Sequence, residues 1–168
     1  MLLTPLLERA LLWAQSKGIE VHLDVSSDCP SVFADPQRLW ECFAELVANA
    51  RYWSNLQEKR IEVSVRWAPR ESLTSPGLDQ SQAYLLITFA DNGLGVPGEN
   101  KRLIFEPFFS TDTQGTGLGL ALVKRAILLH KGDIVECGRP GFGARFEIFL
   151  PVAEQATQEA LGNAARSA

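Results

Sequence analysis

The run GTGLGLALVKRAILLHKGDI, residues 115–134, decides how the chain reads. Gly115, Gly117 and Gly119 alternate with Thr116 and Leu118 and lead into an almost wholly apolar stretch, 120–130, that ends before Gly132. This pattern predicts a buried helix with a glycine stop. Free amides at such a helix start, with the helix dipole behind them, suit phosphate oxygens. Read alone, the glycines also suit a flexible linker. The segment is not a Walker loop, because no Gly-Lys-Ser/Thr follows. Nor is it a dinucleotide fingerprint, because no strand precedes it and the spacing is G-x-G-x-G. Downstream, 134–137 and 145–150 read as two closing strands.

Upstream lies a second glycine segment, DNGLGVP at 91–97, directly after the strand pattern of 84–89. Asp91 at a strand end suits a hydrogen bond from an exocyclic amine such as that of adenine, and Gly93 and Gly95 let backbone approach a ligand. The alternative is an ordinary Asp-Asn-Gly turn. Residues 91–119 form a long irregular stretch, and such stretches inside compact domains are usually functional. Phe105, Phe108 and Phe109 lie within it and suit either a satellite core or the latch of a mobile lid.

Further upstream, Asp35-Pro36 predicts a helix start with an aspartate cap, running to about residue 54. At about 100° per residue, Leu39, Phe43, Leu46, Val47 and Ala50 share one stripe. Arg38, Glu41, Glu45, Asn49 and Tyr52 share a polar stripe, with Glu45 and Asn49 one turn apart. This stripe is either a solvated face or a site. In the second case Asn49 offers an amide oxygen to a hard cation such as Mg²⁺, and Glu45 orients water or takes a proton. The helix by itself does not decide.

The remaining pattern predicts a helix over 2–17, strands over 19–25 and 61–67, and a long hairpin connection over 68–82. Helices and strands then alternate α-β-α-ββ-loop-α-ββ. The expected fold is a two-layer α/β sandwich, with a mixed, mostly antiparallel sheet covered on one face by about three helices. One domain, 1–151, and a flexible tail, 152–168, are expected. Of the 168 residues 46% are hydrophobic and 21% charged, ordinary values for a globular domain. A net charge of −4 argues against nucleic acid as a partner. No apolar run approaches the ~20 residues of a membrane span, and the first residues do not read as a signal peptide. Cys29, Cys42 and Cys137 are too scattered for a disulfide frame or zinc site, so reduced thiols in the cytoplasm are expected.

In order along the chain, ELVANA (45–50), DNGLGVP (91–97), IFEPFFST (104–111), the 115–134 run and GARFEIFLP (143–151) resemble the ATP-binding catalytic domain of sensor histidine kinases. That domain belongs to the Bergerat-fold superfamily, and the resemblance spans roughly residues 3–151. It implies a cytoplasmic kinase domain binding ATP and Mg²⁺, whose parent protein is in some cases membrane-anchored. Phosphate would pass to a histidine on a separate helical dimerisation domain, and on to a response regulator. The resemblance makes Asn49 the Mg²⁺ ligand and Asp91 the adenine contact, with Gly93 and Gly95 shaping the adenine pocket. Residues 98–114 would be the lid, including Lys101, Phe105 and Thr111. Gly115, Thr116, Gly117, Leu118 and Gly119 would lie against the phosphates.

The chain departs from the family pattern in several places. Glu45 stands where the family commonly has Asn, and resembles the catalytic base of ATPase and anti-sigma serine kinase branches. Tyr52 and Asp112 replace common lysines. No Lys or Arg occurs between Phe105 and Gly119, leaving only Lys101 and Arg102 nearby. His22 and His130 lack a phosphoacceptor context, and the charge of His130 suits a helix end. An anti-sigma-type serine kinase, or a nucleotide-binding module without catalysis, are the competing expectations.

Overall fold

The computed structural model describes residues 1–54, 57–113 and 115–153. Val152 and Ala153 remain tied to the fold, through N–H bonds to the carbonyls of Ala83 (2.9 Å) and Ser31 (3.1 Å). The rest of the expected tail, 154–168, lies outside the described residues.

The helix expected after Asp35 is α2, Pro36–Tyr52. The Asp35 carboxylate accepts from the amides of Gln37 (2.9 Å) and Arg38 (3.2 Å), satisfying donors that a helix start otherwise leaves orphaned. The predicted apolar stripe of α2 is buried throughout. Two further helices flank it, α1 (Thr4–Ser16) and α3 (Gly119–Leu129).

Among the described residues the strands β1 (Glu20–Val25), β2 (Arg60–Trp67), β3 (Tyr84–Asp91), β4 (Asp133–Glu136) and β5 (Arg145–Pro151) form one five-stranded sheet, ordered β1-β2-β3-β5-β4. Only β1 against β2 is parallel; the other pairs are antiparallel. The mixed, mostly antiparallel sandwich expected from the sequence is the fold observed.

Register explains the core. Val63 pairs with Phe89 and Phe89 with Phe146, while Val65 pairs with Ile87 and Ile87 with Ile148. These side chains form rows on the face that carries the helices, packed with Leu39, Phe43 and Leu46 of α2. Full burial of each such side chain stabilises by about 1.5–3 kcal/mol. At one end of the same rows, Asp91 opposes Ile61 and Glu136 opposes Phe146. Two carboxylates therefore finish an apolar face.

The other sheet face is also covered, which the polar composition of 68–82 hides. Leu73 and Leu78 of that connection pack on Tyr84 and Phe149 as a second core. Asp133 at the start of β4 anchors both sides, bonded by Ser75 of the connection and Lys124 of α3. Burial alone would raise the Asp133 carboxyl. The bonds from Lys124, Ser75 and the Ile134 amide outweigh it and hold the group below its ordinary value.

The three cysteines are free thiols. Burial pushes them all up, Cys42 to about 11, so none is a ready nucleophile. His130 does not act as a charge on the helix end. Its Nε2 accepts from the Asp35 amide (2.9 Å) and its Nδ1 faces the Ala126 carbonyl (2.7 Å). That pairing requires the neutral ring with Nδ1–H donating, and it staples the end of α3 to the start of α2.

Candidate functional site

One face of α2 forms the floor of a cavity of about 560 Å³. Glu45, Asn49 and Trp53 succeed one another at one-turn spacing, so the floor spans about 12 Å. At its N-terminal end Glu45 lies directly over the start of α3, where a methyl group on Gly119 would overlap the Glu45 carboxylate. At its C-terminal end the Trp53 carbonyl accepts from the Leu94 amide (3.2 Å) and touches Gly93. Asn49 stands between these two ends and lines the cavity.

At the Trp53 end, Asp91 closes β3. Its Oδ1 accepts from the amides of Gly93 (2.8 Å) and Ala144 (3.1 Å), which leaves Oδ2 for a further donor. Burial pushes the Asp91 carboxyl above its ordinary value. The two backbone bonds pull the other way, and the neighbouring Glu136 charge adds to the rise. Gly95, Ala144 and Phe146 complete this end.

At the Glu45 end, no side chain caps α3, whose N-cap is Leu118. The opening amides of that helix are left for a ligand, and Gly119 and Leu120 line the cavity there. Thr111, Gly115, Thr116 and Gly117 form the wall above. Among the described residues of the lining there is no Lys or Arg.

Asn49 Nδ2 is buried without a hydrogen-bond partner, as is the indole nitrogen of Trp40 elsewhere. An amide left unpaired in a cavity wall is a polar group waiting for a ligand. No group of three His, Cys, Asp or Glu among the described residues could hold a metal by itself.

Not every expected site residue enters the cavity. Lys101 is engaged elsewhere, paired with Glu136 and donating to the Gly138 carbonyl (2.6 Å). The three phenylalanines separate. Phe105 packs edge-on against Phe146, with centroids 6.3 Å apart, and lies beneath the Lys124 ammonium at 5.4 Å. Phe109 lines the cavity. Phe108 is 77% exposed, with a left-handed backbone at φ +68°. Trp53, packed edge-on against Tyr52 of the polar stripe, forms cavity wall that sequence reading missed. Its clue was an aromatic dipeptide at the end of the polar stripe.

The chain matches the family model described as "Histidine kinase-, DNA gyrase B-, and HSP90-like ATPase" over residues 34–154. The chain belongs to that family. The relatives of this ATPase-family domain are longer proteins. It is 34% identical to the signal transduction histidine-protein kinase AtoS of Escherichia coli, over 93% of the chain and 24% of AtoS. It is 30% identical to sporulation kinase E of Bacillus subtilis, over 86% of the chain and 18% of that protein. The chain thus spans about a quarter or less of these relatives. Among solved structures, full-length ShkA in complex with AMPPNP is 28% identical with a TM-score of 0.71, over 91% of the chain and 30% of ShkA. The mycobacterial sensor histidine kinase MprB shares the fold at a TM-score of 0.72 and 24% identity, over 89% of the chain and 95% of the MprB structure. Among the described residues, no helix is long and apolar enough to cross a membrane.

Proposed function

We propose that this domain binds ATP with Mg²⁺ and transfers the γ-phosphate to a histidine on a separate helical dimerisation domain, from which a response regulator takes it. One observation carries the reading. The α2 floor runs from a carboxylate with a free oxygen at Asp91 to the uncapped start of α3, with Asn49, whose Nδ2 is unpaired, between them. An acceptor for an adenine amine and donors for phosphates are thus held at the two ends of one rigid helix face.

In this reading Asp91 Oδ2 accepts the adenine amine. The α3 amides and Gly117 would cradle the phosphates, and the Asn49 amide oxygen would hold Mg²⁺. The ion would supply charge neutralisation that the lining lacks. Glu45, one turn back, is placed to take the proton of an attacking imidazole. The domain carries no acceptor of its own. His130 is committed through both ring nitrogens, and His22 is exposed on β1, an edge strand. A domain with free thiols that consumes ATP belongs in the cytoplasm.

The test is transfer from ATP to a supplied helical acceptor domain. The expected product is acid-labile and base-stable, and the domain incubated alone stays unlabelled. Phosphohistidine mapped to His22 or His130 would refute the reading. Equal affinity for ATP and GTP would remove the role given to Asp91. Glu45→Gln should abolish transfer and spare nucleotide binding if Glu45 is the base.

A further inference from the structure

Lys101 lies in the expected lid yet is tied to the sheet. Glu136, at the end of β4, has a fully buried side chain, 0% exposed. Its Oε1 accepts from the amides of Gly138 (2.8 Å) and Arg145 (3.1 Å), and its Oε2 meets the Lys101 ammonium. Gly138 has no room for a side chain, because a Cβ there would stand 2.6 Å from Glu136 Oε1. The cluster is therefore built around the carboxylate.

Its neighbour is Asp91. Consecutive amides of one segment serve the two acids: Ala144 N–H bonds Asp91, and Arg145 N–H bonds Glu136. A shift of Glu136 therefore displaces the backbone that holds Asp91. A second tie holds the same stretch of lid, since Phe105 packs on Phe146 and under Lys124. Beyond Phe105, hydrogen bonds of described residues run within the lid and glycine loop, such as Phe108 N–H to the Gly117 carbonyl (2.9 Å).

We propose that Lys101 is a positioning residue: paired with Glu136, it pins residues 98–105 to the sheet beside Asp91, so that only the segment after Phe105 moves over a nucleotide. This rests on the nucleotide-binding reading above. It replaces the expectation that Lys101 binds nucleotide as part of a lid over residues 98–114.

The experiment compares Lys101→Met, Lys101→Arg and the double variant Lys101→Met/Glu136→Gln. Binding of adenosine and of ATP with Mg²⁺ is measured by calorimetry, and amide exchange over 98–105 is measured without nucleotide. Lys101→Met should weaken adenosine and ATP by the same factor, about tenfold, the scale of one weakened hydrogen bond at Asp91. It should also speed exchange over 98–105. Lys101→Arg should keep both properties. The double variant should regain most of the affinity, because an amide oxygen at 136 still accepts both backbone donors without needing a countercharge. If Lys101→Met unfolds, the other two variants decide. A folded double variant with wild-type adenosine affinity but faster exchange over 98–105 supports the proposal, and one with weakened affinity or with unchanged exchange overturns it. Loss of ATP affinity with adenosine unchanged would make Lys101 a phosphate contact and overturn the proposal. So would unchanged exchange over 98–105 in Lys101→Met. A wild-type domain that binds no nucleotide would sink the functional reading instead, and the exchange result would still judge the pin.

Discussion

The two ends of the cavity are built differently. At the Asp91 end, backbone amides, a buried ion pair and paired strands hold every group from several sides. At the far end, described residues between Phe108 and Gly117 make local hydrogen bonds, such as Phe108 N–H to the Gly117 carbonyl, and Phe108 keeps a left-handed backbone in solvent. The first is a preformed socket and the second a flap. Residues drawn from few buried contacts are those that open at low free-energy cost.

The same substitution at each end should separate them most sharply. Gly143 (φ +98°) has no space for a Cβ against the Asp91 carbonyl, and Gly117 (φ +66°) has none against Phe108, where a Cβ would stand at 2.5 Å. Gly143→Ala must part β3 from β5 and should cost about 3 kcal/mol. Gly117→Ala should displace only the flap and cost under about 1 kcal/mol. Urea denaturation of both variants measures this. Equal losses would break the distinction.

Asp91→Asn comes next. It keeps the Oδ1 acceptor for Gly93 and Ala144 but replaces the oxygen available to a ligand, so nucleotide affinity should fall by about 2 kcal/mol, the worth of a hydrogen bond to a charged group. The sign with pH follows from the raised carboxyl. Folding disfavours the charged form, so the Asp91 contribution to stability is greatest at low pH. It diminishes as pH rises from the ordinary value of 3.8 through the raised folded value. Binding needs the charged form and changes in the opposite sense, weakening as pH falls through that window. Calorimetry and thermal melts across mildly acidic pH should show the two trends diverging, and Asp91→Asn should flatten both.

Asn49→Ala tests the middle of the floor. Its Nδ2 has no partner to lose, so stability should change by less than about 0.5 kcal/mol. Affinity for ATP with Mg²⁺ should fall about tenfold, one hydrogen-bond-sized loss, and the loss should vanish in EDTA. Equal affinity in the variant would remove Asn49 from the site.

The smallest effect is expected at the flap tip. Phe108→Gly relieves a left-handed backbone at an exposed side chain, so the domain should gain up to about 1 kcal/mol. A loss above that size would mean the exposed ring is anchored and the flap is not a flap.

The legible parts of the fold were those set by period and local chemistry. The α2 stripe, its Asp35 cap and the alternation in β2 were each readable because burial on one side repeats at 3.6 or 2 residues. The cover over the second sheet face was not. Leu73 and Leu78 are lone apolar residues in a polar connection, with no period to mark them. Of the expected site residues, Asp91, Asn49, Gly95, Gly115, Gly117 and Gly119 line one cavity, because helix ends and strand ends that meet there recur with recognisable residues. Lys101 was misplaced because adjacency along the lid says nothing about a carboxylate 35 residues away.

The sequence by itself determined which elements form and which faces they bury, since propensity, capping and hydrophobic period act within a few residues. It also determined that this lid carries no cation beyond Arg102, a matter of composition alone. Only the tertiary structure decided that Lys101 serves a buried acid, that His130 is a neutral staple between two helices, and that Asn49 Nδ2 is left without a partner. Each of those outcomes depends on which charges and donors lie within hydrogen-bond reach after the sheet closes. Hydrogen-bond reach is about 3 Å, and no local pattern encodes it.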